Sequence, residues 1–323
     1  MKKISFLIII LLLINYCNQN TEHNNTYKKI TFFTMDTIIE IKYKGDNREL
    51  ENKIKNEFNR IYNKFSPSVK TGVLYKINHR RKDKIIIDNE TKYLIEKSNY
   101  FSNLSKGIFD ITIKPIIDLW GFENTDKHYT IPNKNILKRK LEFVNYKKIL
   151  IKNNLLYLPK NFEIDLGGIA KGYAVDKVSK IFQQYNINDF LINAGGDLIA
   201  KGKNPDGEEW KIGIQNPRGA GIIKIIEIEK KAVATSGDYQ RYFIKNGIRY
   251  HHIISPFSGQ PFRKWISMTI IANTCMEADS LATVFFGMDI KTIKKTIKKY
   301  PYYIRYYAVN SENKTYTNFR GKY

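Results

Sequence analysis

Two side chains in the C-terminal part of the chain have the types and the spacing to bind a hard cation. Residues 277–283 read as the start of a helix, in which Asp279 and Thr283 are four positions apart. Side chains at that spacing share one helical face, one turn above the other. A carboxylate and a hydroxyl so placed offer two oxygens to Mg²⁺, which prefers oxygen ligands and keeps several waters or phosphates. The alternative is an ordinary helix start that is capped or solvated.

A glycine-rich segment upstream has the features of a phosphate-binding turn. The strand-like run 162–166 opens into a glycine pair, and a helical pattern follows with Lys171 in its first turn. Glycines let the backbone approach a ligand closely, a helix N-terminus favours negative charge, and lysine adds a point charge suited to phosphate. A tight turn that packs for its own sake is the alternative. A second glycine pair, within residues 193–197, follows the apolar run 190–192 at the end of another predicted strand.

Together with further short motifs, these segments resemble the ApbE-type FAD:protein FMN transferase family in its lipoprotein form. The resemblance extends over residues 32–284, nearly all of the chain that follows the N-terminal leader. Each motif alone is weak, but their number, order and spacing argue against a chance match. The motifs are Thr34-Met-Asp-Thr37, Gly107-Ile-Phe-Asp110, Trp120-Gly-Phe122, Asp165-Leu-Gly-Gly-Ile-Ala-Lys171, Asn193-Ala-Gly-Gly-Asp197, Ala234-Thr-Ser-Gly237, His252-Ile-Ile-Ser-Pro256, Ser258-Gly259, and Glu277-Ala-Asp279 with Thr283.

The resemblance implies an enzyme that transfers FMN from FAD, its substrate, to a threonine of an exported or membrane protein and releases AMP. It implies Mg²⁺ as cofactor, held by Asp279, Thr283 and the main-chain carbonyl of Gly168. Deprotonation of the acceptor hydroxyl is then assigned to Asp279 or to the metal. The implied partner is a membrane redox complex that carries the target threonine. Positions that match the FAD-binding residues of the family are Met35, Ser68, Ile108, Phe109, Asp110, Asp165, Lys171 and Ile254.

Three positions depart from the family pattern. Asp36 stands in place of a glycine, Ser255 in place of an aspartate, and Ser68 near a position where many members carry an aromatic residue against the nucleotide. A serine leaves that face of the nucleotide less covered, so that water competes better with a protein acceptor. An FAD pyrophosphatase that yields FMN and AMP therefore stays open as an alternative to the transferase. A non-catalytic flavin-binding lipoprotein is a second alternative.

The N-terminal residues predict export. Lys2 and Lys3 precede the apolar run 4–14, which is too short to span a bilayer comfortably and is typical of a signal peptide. We expect cleavage after residue 16, lipid attachment at Cys17, a flexible tether over 17–27 and a flavin transferase domain over 28–323. The protein is then anchored to the bacterial inner membrane and faces the periplasm. Ordinary secretion, with Cys17 incidental, is the alternative.

Charge and cysteine content limit the partners and the covalent links. The net charge is +23, but the lysines are spread through the chain, and we expect no nucleic acid partner. The densest cluster, within residues 291–299, falls on a helical pattern and indicates a solvated face or one that is attracted to an anionic membrane. Cys17 and Cys275 are the only cysteines, so that lipidation of Cys17 excludes an intramolecular disulfide. Cys275 is predicted to be buried.

The pattern of apolar residues predicts an α+β fold. We expect one catalytic domain, with a mixed or antiparallel sheet and flanking helices, arranged in one or two lobes. Residues 123–146 are polar and read as a loop. Helices are predicted over 48–65, 91–104 and 171–185, and strands over 30–44, 210–215, 222–229, 241–245 and 268–272.

Overall fold

The computed structural model describes residues 26–122 and 129–319. Its largest sheet has eight antiparallel strands in the order β1-β2-β6-β7-β10-β13-β14-β15, and three small sheets are formed by β3-β5-β4, β8-β9 and β11-β12. The strands are β1 (Tyr27–Thr34), β2 (Thr37–Lys44), β3 (Lys84–Ile86), β4 (Leu150–Lys152), β5 (Leu155–Tyr157), β6 (Phe190–Ala194), β7 (Asp197–Lys201), β8 (Trp210–Gln215), β9 (Ile222–Ile228), β10 (Lys231–Gly237), β11 (Tyr242–Lys245), β12 (Ile248–His251), β13 (Trp265–Ala272), β14 (Arg305–Asn310) and β15 (Thr315–Thr317).

Helices cover one face of the large sheet and enclose the main core between them. Helix α6 packs against α1 and α7, and α7 lies directly on strands β10 and β13. The helices are α1 (Arg48–Phe65), α2 (Val73–Asn78), α3 (Asn89–Leu104), α4 (Lys114–Trp120), α5 (Lys134–Leu141), α6 (Ala170–Gln184), α7 (Cys275–Phe286) and α8 (Ile290–Lys299).

The opposite face of the sheet is partly covered by the β8-β9 hairpin. Strand β8 alternates strictly: Trp210, Ile212 and Ile214 are buried, and the residues between them are exposed. The buried side chains form a second apolar cluster with residues such as Leu198 and Val233 of the large sheet. A third cluster, around Trp120 on α4, packs against α5 and the β11-β12 hairpin.

The predicted fold class is confirmed, since the structure is α+β with an antiparallel sheet and flanking helices. Helix α1 has the predicted bounds, and Cys275 is fully buried at the start of α7. The single strand predicted over 30–44 is wrong, because the chain reverses at Met35 and Asp36 and forms the β1-β2 hairpin. The strand expected over 162–166 is absent from the described structure, and α5 lies inside the segment predicted to be a loop.

The predicted signal peptide, Cys17 and most of the tether lie outside the described residues. Within residues 26–122 and 129–319, no helix combines the length and the hydropathy needed to cross a bilayer.

Candidate active site

The turns at one end of the large sheet and the first turn of α6 surround a cleft of about 440 Å³. Helices α6 and α7 and strands β7 and β10 supply polar side chains, and the loop after α3 closes the cleft with apolar ones. Residues from parts of the chain far apart in sequence therefore meet in one place. The wall includes Met35, Asp36, Tyr62, Ile108, Phe109, Asp110, Asp165, Gly168, Lys171, Asp197, Ser236, Arg241, His252, Ile254, Asp279 and Thr283.

The β1-β2 turn reaches the cleft in a strained conformation. Thr34 pairs with Thr37, so that Met35 and Asp36 form a two-residue connection, and both have positive φ, 52° and 57°. Such turns usually carry Asn-Gly, because an L-residue with a bulky side chain resists this region. The neighbouring turn depends on glycine: a Cβ at Gly195 would lie 2.1 Å from Thr37 Oγ1. Close contact between the two turns thus requires Gly195.

The segment before α6 is held in place by the side-chain amide of Asn78 and the carbonyl of Ile111 rather than by a neighbouring strand. The Asn78 side chain donates to the Ile164 carbonyl and accepts from the Ile164 N–H, both at 2.8 Å. Asp165 N–H donates to the Ile111 carbonyl at 2.7 Å, and Asp165 Oδ1 accepts from Gly167 N–H at 2.8 Å. These bonds fix the glycine pair as it enters the cleft.

Two glycines allow α6, α7 and the loop after α3 to meet closely. A Cβ at Gly168 would lie 3.0 Å from the Phe109 ring and 3.6 Å from Thr283 Oγ1. A Cβ at Gly172 would lie 2.4 Å from the Cys275 carbonyl oxygen, a separation that side-chain carbons do not adopt. The Gly168 backbone therefore lies beside Thr283, so that both residues can contact the same ligand.

Three charged side chains interact at the base of the cleft. Lys171 Nζ lies 3.0 Å from Asp197 Oδ2, and Asp279 Oδ2 accepts from Gly172 N–H at 3.0 Å. Burial raises the pKa of Asp279 well above its usual range, and the nearby Asp197 carboxylate adds to this. Burial by itself would lower the pKa of Lys171, but the two carboxylates outweigh it and raise that pKa. Two carboxylates share one ammonium, an arrangement that favours a further cation.

The oxygens around Asp279 fit a small divalent cation. Asp279 Oδ1 has no hydrogen-bond partner among the described residues, and Thr283 Oγ1 lies 3.4 Å from Ser236 Oγ. One carboxylate, hydroxyls and the Gly168 main chain leave coordination positions for water or phosphate, as Mg²⁺ prefers. No three His, Cys, Asp or Glu side chains group into a metal site in the part of the chain that the structure describes. A cation bound here would take its remaining ligands from water or substrate.

The model of the ApbE family matches residues 35–307. The chain belongs to the ApbE family. A curated FAD:protein FMN transferase of Vibrio cholerae is 31% identical over 261 residues, covering 77% of this chain and 78% of the relative. Among solved structures, the ApbE protein of Thermotoga maritima superposes with a TM-score of 0.84 at 33% identity, over 90% of this chain and 96% of that chain. The flavin transferase ApbE of Vibrio cholerae gives a TM-score of 0.82 at 27% identity, over 90% and 97%.

The structure brings together nearly all the site residues predicted from the ApbE resemblance. Ser68 is the exception: it is exposed and does not line the cleft, and its hydroxyl lies 2.9 Å from Ser66 Oγ. The predicted residues that line the cleft are Met35, Ile108, Phe109, Asp110, Asp165, Gly168, Lys171, Ile254, Asp279 and Thr283.

Asp110 lines the cleft, but its carboxylate is occupied by the protein. Oδ1 accepts from the N–H and the hydroxyl of Thr112 at 2.8 and 2.6 Å, and Oδ2 accepts from Tyr146 N–H at 2.9 Å. Burial raises the pKa of Asp110. Its side chain therefore shapes the loop that presents Ile108 and Phe109 to the cleft.

Sequence reasoning did not assign a role to Asp197, Ser236, Tyr62 or Arg241, all of which line the cleft. Asp197 is the most consequential of these, because it forms the ion pair with Lys171. Its place directly after the second glycine pair, within a motif of the ApbE family, was the signal that pointed to it.

His252 also lines the cleft, and burial lowers its pKa to about 3, so that its ring is neutral near pH 7.

Proposed function

We propose that this chain transfers FMN from FAD to a threonine hydroxyl of an exported protein and releases AMP, with Mg²⁺ bound at Asp279. The transfer of FMN from FAD to a target protein is supported by membership of the ApbE family and by the relatives named above. The observation that carries the proposal is the meeting of Gly168, Lys171, Asp279 and Thr283 in one cleft.

Asp279 Oδ1, Thr283 Oγ1 and the main chain of Gly168 are the groups that would hold Mg²⁺. The ion would neutralise charge on the FAD phosphates and improve AMP as the leaving group. Asp279 keeps its orientation because its Oδ2 is fixed by the Gly172 N–H. Thr283 is positioned by the same helix, one turn further on.

Lys171 supplies a fixed positive charge to the phosphate region. Its ammonium is held 3.0 Å from Asp197, and 26% of the side chain is exposed toward the cleft. The pairing keeps the side chain charged and limits its motion. A lysine so restrained attracts an anionic substrate and costs little ordering when the substrate binds.

Proton transfer from the acceptor hydroxyl is assigned to Asp279. Burial and the nearby Asp197 carboxylate raise the pKa of Asp279, and a cation held at Oδ1 would work against that rise, so that the carboxylate would be ionised and able to accept the proton. The nearby His252 is a poor base in comparison, because its pKa is lowered to about 3 and its Nδ1 lies 3.2 Å from the Arg241 carbonyl oxygen. That histidine instead holds the loop at residues 252–256 against Arg241, directly before β11.

The acceptor that we propose is a threonine in a membrane redox complex, reached from a lipid anchor at Cys17. This part of the proposal rests on the leader sequence and on analogy with the family. Lipidation would keep the enzyme at the surface where such an acceptor is exposed.

The hydrolytic alternative loses its main structural support. It depended on an uncovered nucleotide face at Ser68, but that residue lies outside the cleft wall, and the wall carries aromatic rings of its own at Tyr62, Phe65 and Phe109. The transferase proposal predicts that AMP release from FAD and Mg²⁺ requires an acceptor. Rapid AMP release without any acceptor would favour the pyrophosphatase, and intact FAD with every divalent metal and acceptor would favour a binding protein.

A further inference from the structure

The solvent face of α8 is strongly basic. The helix has ten residues and an apolar side formed by Ile290, Ile293 and Ile297, which packs on the main core. The helix itself contains no acidic residue, and Asp289, directly before it, caps the N-terminus by accepting from Thr292 N–H. The exposed lysines on this side are Lys291, Lys294, Lys295, Lys298 and Lys299.

These lysines repel one another, and no acidic side chain of residues 26–122 or 129–319 compensates their charge with an ion pair. Their spacing of three and four residues places like charges side by side, which destabilises a helix. Among the described residues, none of the five forms an ion pair. The high lysine content of the chain does not by itself explain a helix face of unpaired lysines, because another helix pairs its basic residues with glutamates. Helix α1 pairs Lys53 with Glu49 at 3.2 Å and Arg60 with Glu57 at 2.8 Å.

An exposed aromatic side chain follows the basic face directly. Tyr302 is 56% exposed just beyond the end of α8. The next residue, Tyr303, is already covered on its ring by Lys231 at 4.4 Å and Arg305 at 5.3 Å. Tyrosine at the edge of a basic amphipathic helix is typical of surfaces that meet lipid headgroups, where the ring and the hydroxyl find different surroundings.

We propose that the face formed by the five lysines of α8 and Tyr302 binds the anionic surface of a lipid bilayer. The lysines project from a convex helix surface, so that they suit a broad, diffuse negative charge better than one bound phosphate. Each lysine near an anionic membrane strengthens binding by about fivefold. Contact through α8 would give the catalytic domain a fixed orientation on the membrane, independently of the reaction in the cleft.

The test measures the reactivity of individual lysines toward an amine-acylating reagent, using the full chain on vesicles. Vesicles of equal parts phosphatidylglycerol and phosphatidylcholine are compared with phosphatidylcholine vesicles at low and high salt, and modified lysines are quantified by mass spectrometry. We expect the α8 lysines to be protected several-fold from acylation, and only on vesicles that contain phosphatidylglycerol at low salt. Lys147, Lys148 and Lys152 are exposed and lie outside α8, and they serve as internal controls that stay reactive.

A pair of matched variants makes the result specific to α8. Replacing Lys294, Lys295 and Lys298 by glutamine should remove most of the protection of Lys291 and Lys299. The equivalent triple replacement of Lys147, Lys148 and Lys152 should leave that protection unchanged. Uniform protection of all lysines, equal protection on neutral vesicles, or stronger protection by single-stranded DNA than by vesicles would each overturn the proposal.

Discussion

At the scale of single residues, Asp279 carries the largest share of the proposed chemistry. We expect Asp279→Ala to lower turnover at millimolar Mg²⁺ by at least about 100-fold, because the cation would lose its carboxylate ligand. Thr283→Val should have a smaller effect, since a neutral hydroxyl is a weaker ligand. Asp206→Ala removes the same charge from an exposed turn and serves as the control. Near-normal turnover in Asp279→Ala, measured as AMP release in the presence of acceptor, would refute the assignment.

His251 makes a second prediction at this scale, on stability rather than catalysis. The buried ring has Nε2 2.6 Å from the Phe262 carbonyl oxygen, and Nδ1 accepts from Ile253 N–H at 3.3 Å. This arrangement requires a neutral ring, and burial lowers the pKa of His251 to about 4. The unfolded chain has a histidine pKa of about 6.5, so that it takes up protons first as the pH falls. Stability is therefore complete above pH 6.5 and is lost progressively toward pH 4.

His251→Gln should reduce this pH dependence by about 3 kcal/mol between neutral pH and pH 4. Urea unfolding at a series of pH values measures the effect. His252 keeps its own depressed pKa in the variant, so that a smaller slope remains. Equal slopes in the two proteins would show that His251 is not held neutral by the fold.

At the scale of elements, the sequence predicted helices and strands whose signals are local. It missed features that depend on residues distant in the chain. Helix α1 has the predicted bounds because its apolar stripe is continuous and Asn47 caps it. The sequence does not reveal the β1-β2 hairpin, since strand-forming residues flank Met35 and Asp36 on both sides and the usual Asn-Gly signal is absent. Residues 162–166 have a strand pattern, but their hydrogen-bond partners include the Asn78 side chain, which no local pattern reveals.

A substitution at Asn78 tests how the segment before α6 is held. Asn78→Ala removes two hydrogen bonds to Ile164 and should cost about 2 kcal/mol of folding stability. It should also raise the Mg²⁺ concentration needed for half-maximal turnover, because the segment that leads to Gly168 is released. Asn154→Ala, which removes one exposed side-chain bond to Asn89, is the control. Lower stability with an unchanged Mg²⁺ requirement would mean that Asn78 does not position the site.

At the scale of the whole molecule, the cleft is a product of the fold. Met35 and Asp197 lie at turns of the antiparallel sheet, and Asp279 lies on α7, which packs on β10 and β13 of that sheet. The periodicity of the apolar residues alone could not predict that these residues meet. The resemblance to the ApbE family is what indicated a common site. The Lys171–Asp197 ion pair was missed for the same reason, because its two members lie on different elements.

The location of the whole molecule is tested at Cys17. Cys17→Ser should release the protein from membranes into the soluble extract, because the predicted lipid attachment is lost. Turnover of the purified variant should be unchanged, since the cleft lies within residues 35–283. Membrane and soluble fractions are compared by immunoblotting. A wild-type protein that is already soluble, with a mature N-terminus elsewhere, would contradict the lipoprotein assignment.

The most direct test of the central claim is the mass of an acceptor protein after incubation with the enzyme, FAD and Mg²⁺. The acceptor should gain the mass of one FMN phosphoester on a threonine, with one AMP released for each FMN attached. Its Thr→Val variant should gain nothing, and enzyme carrying Asp279→Ala should leave the wild-type acceptor unmodified. An acceptor of unchanged mass, while FAD is converted to free FMN and AMP at the same rate with or without it, would contradict the account.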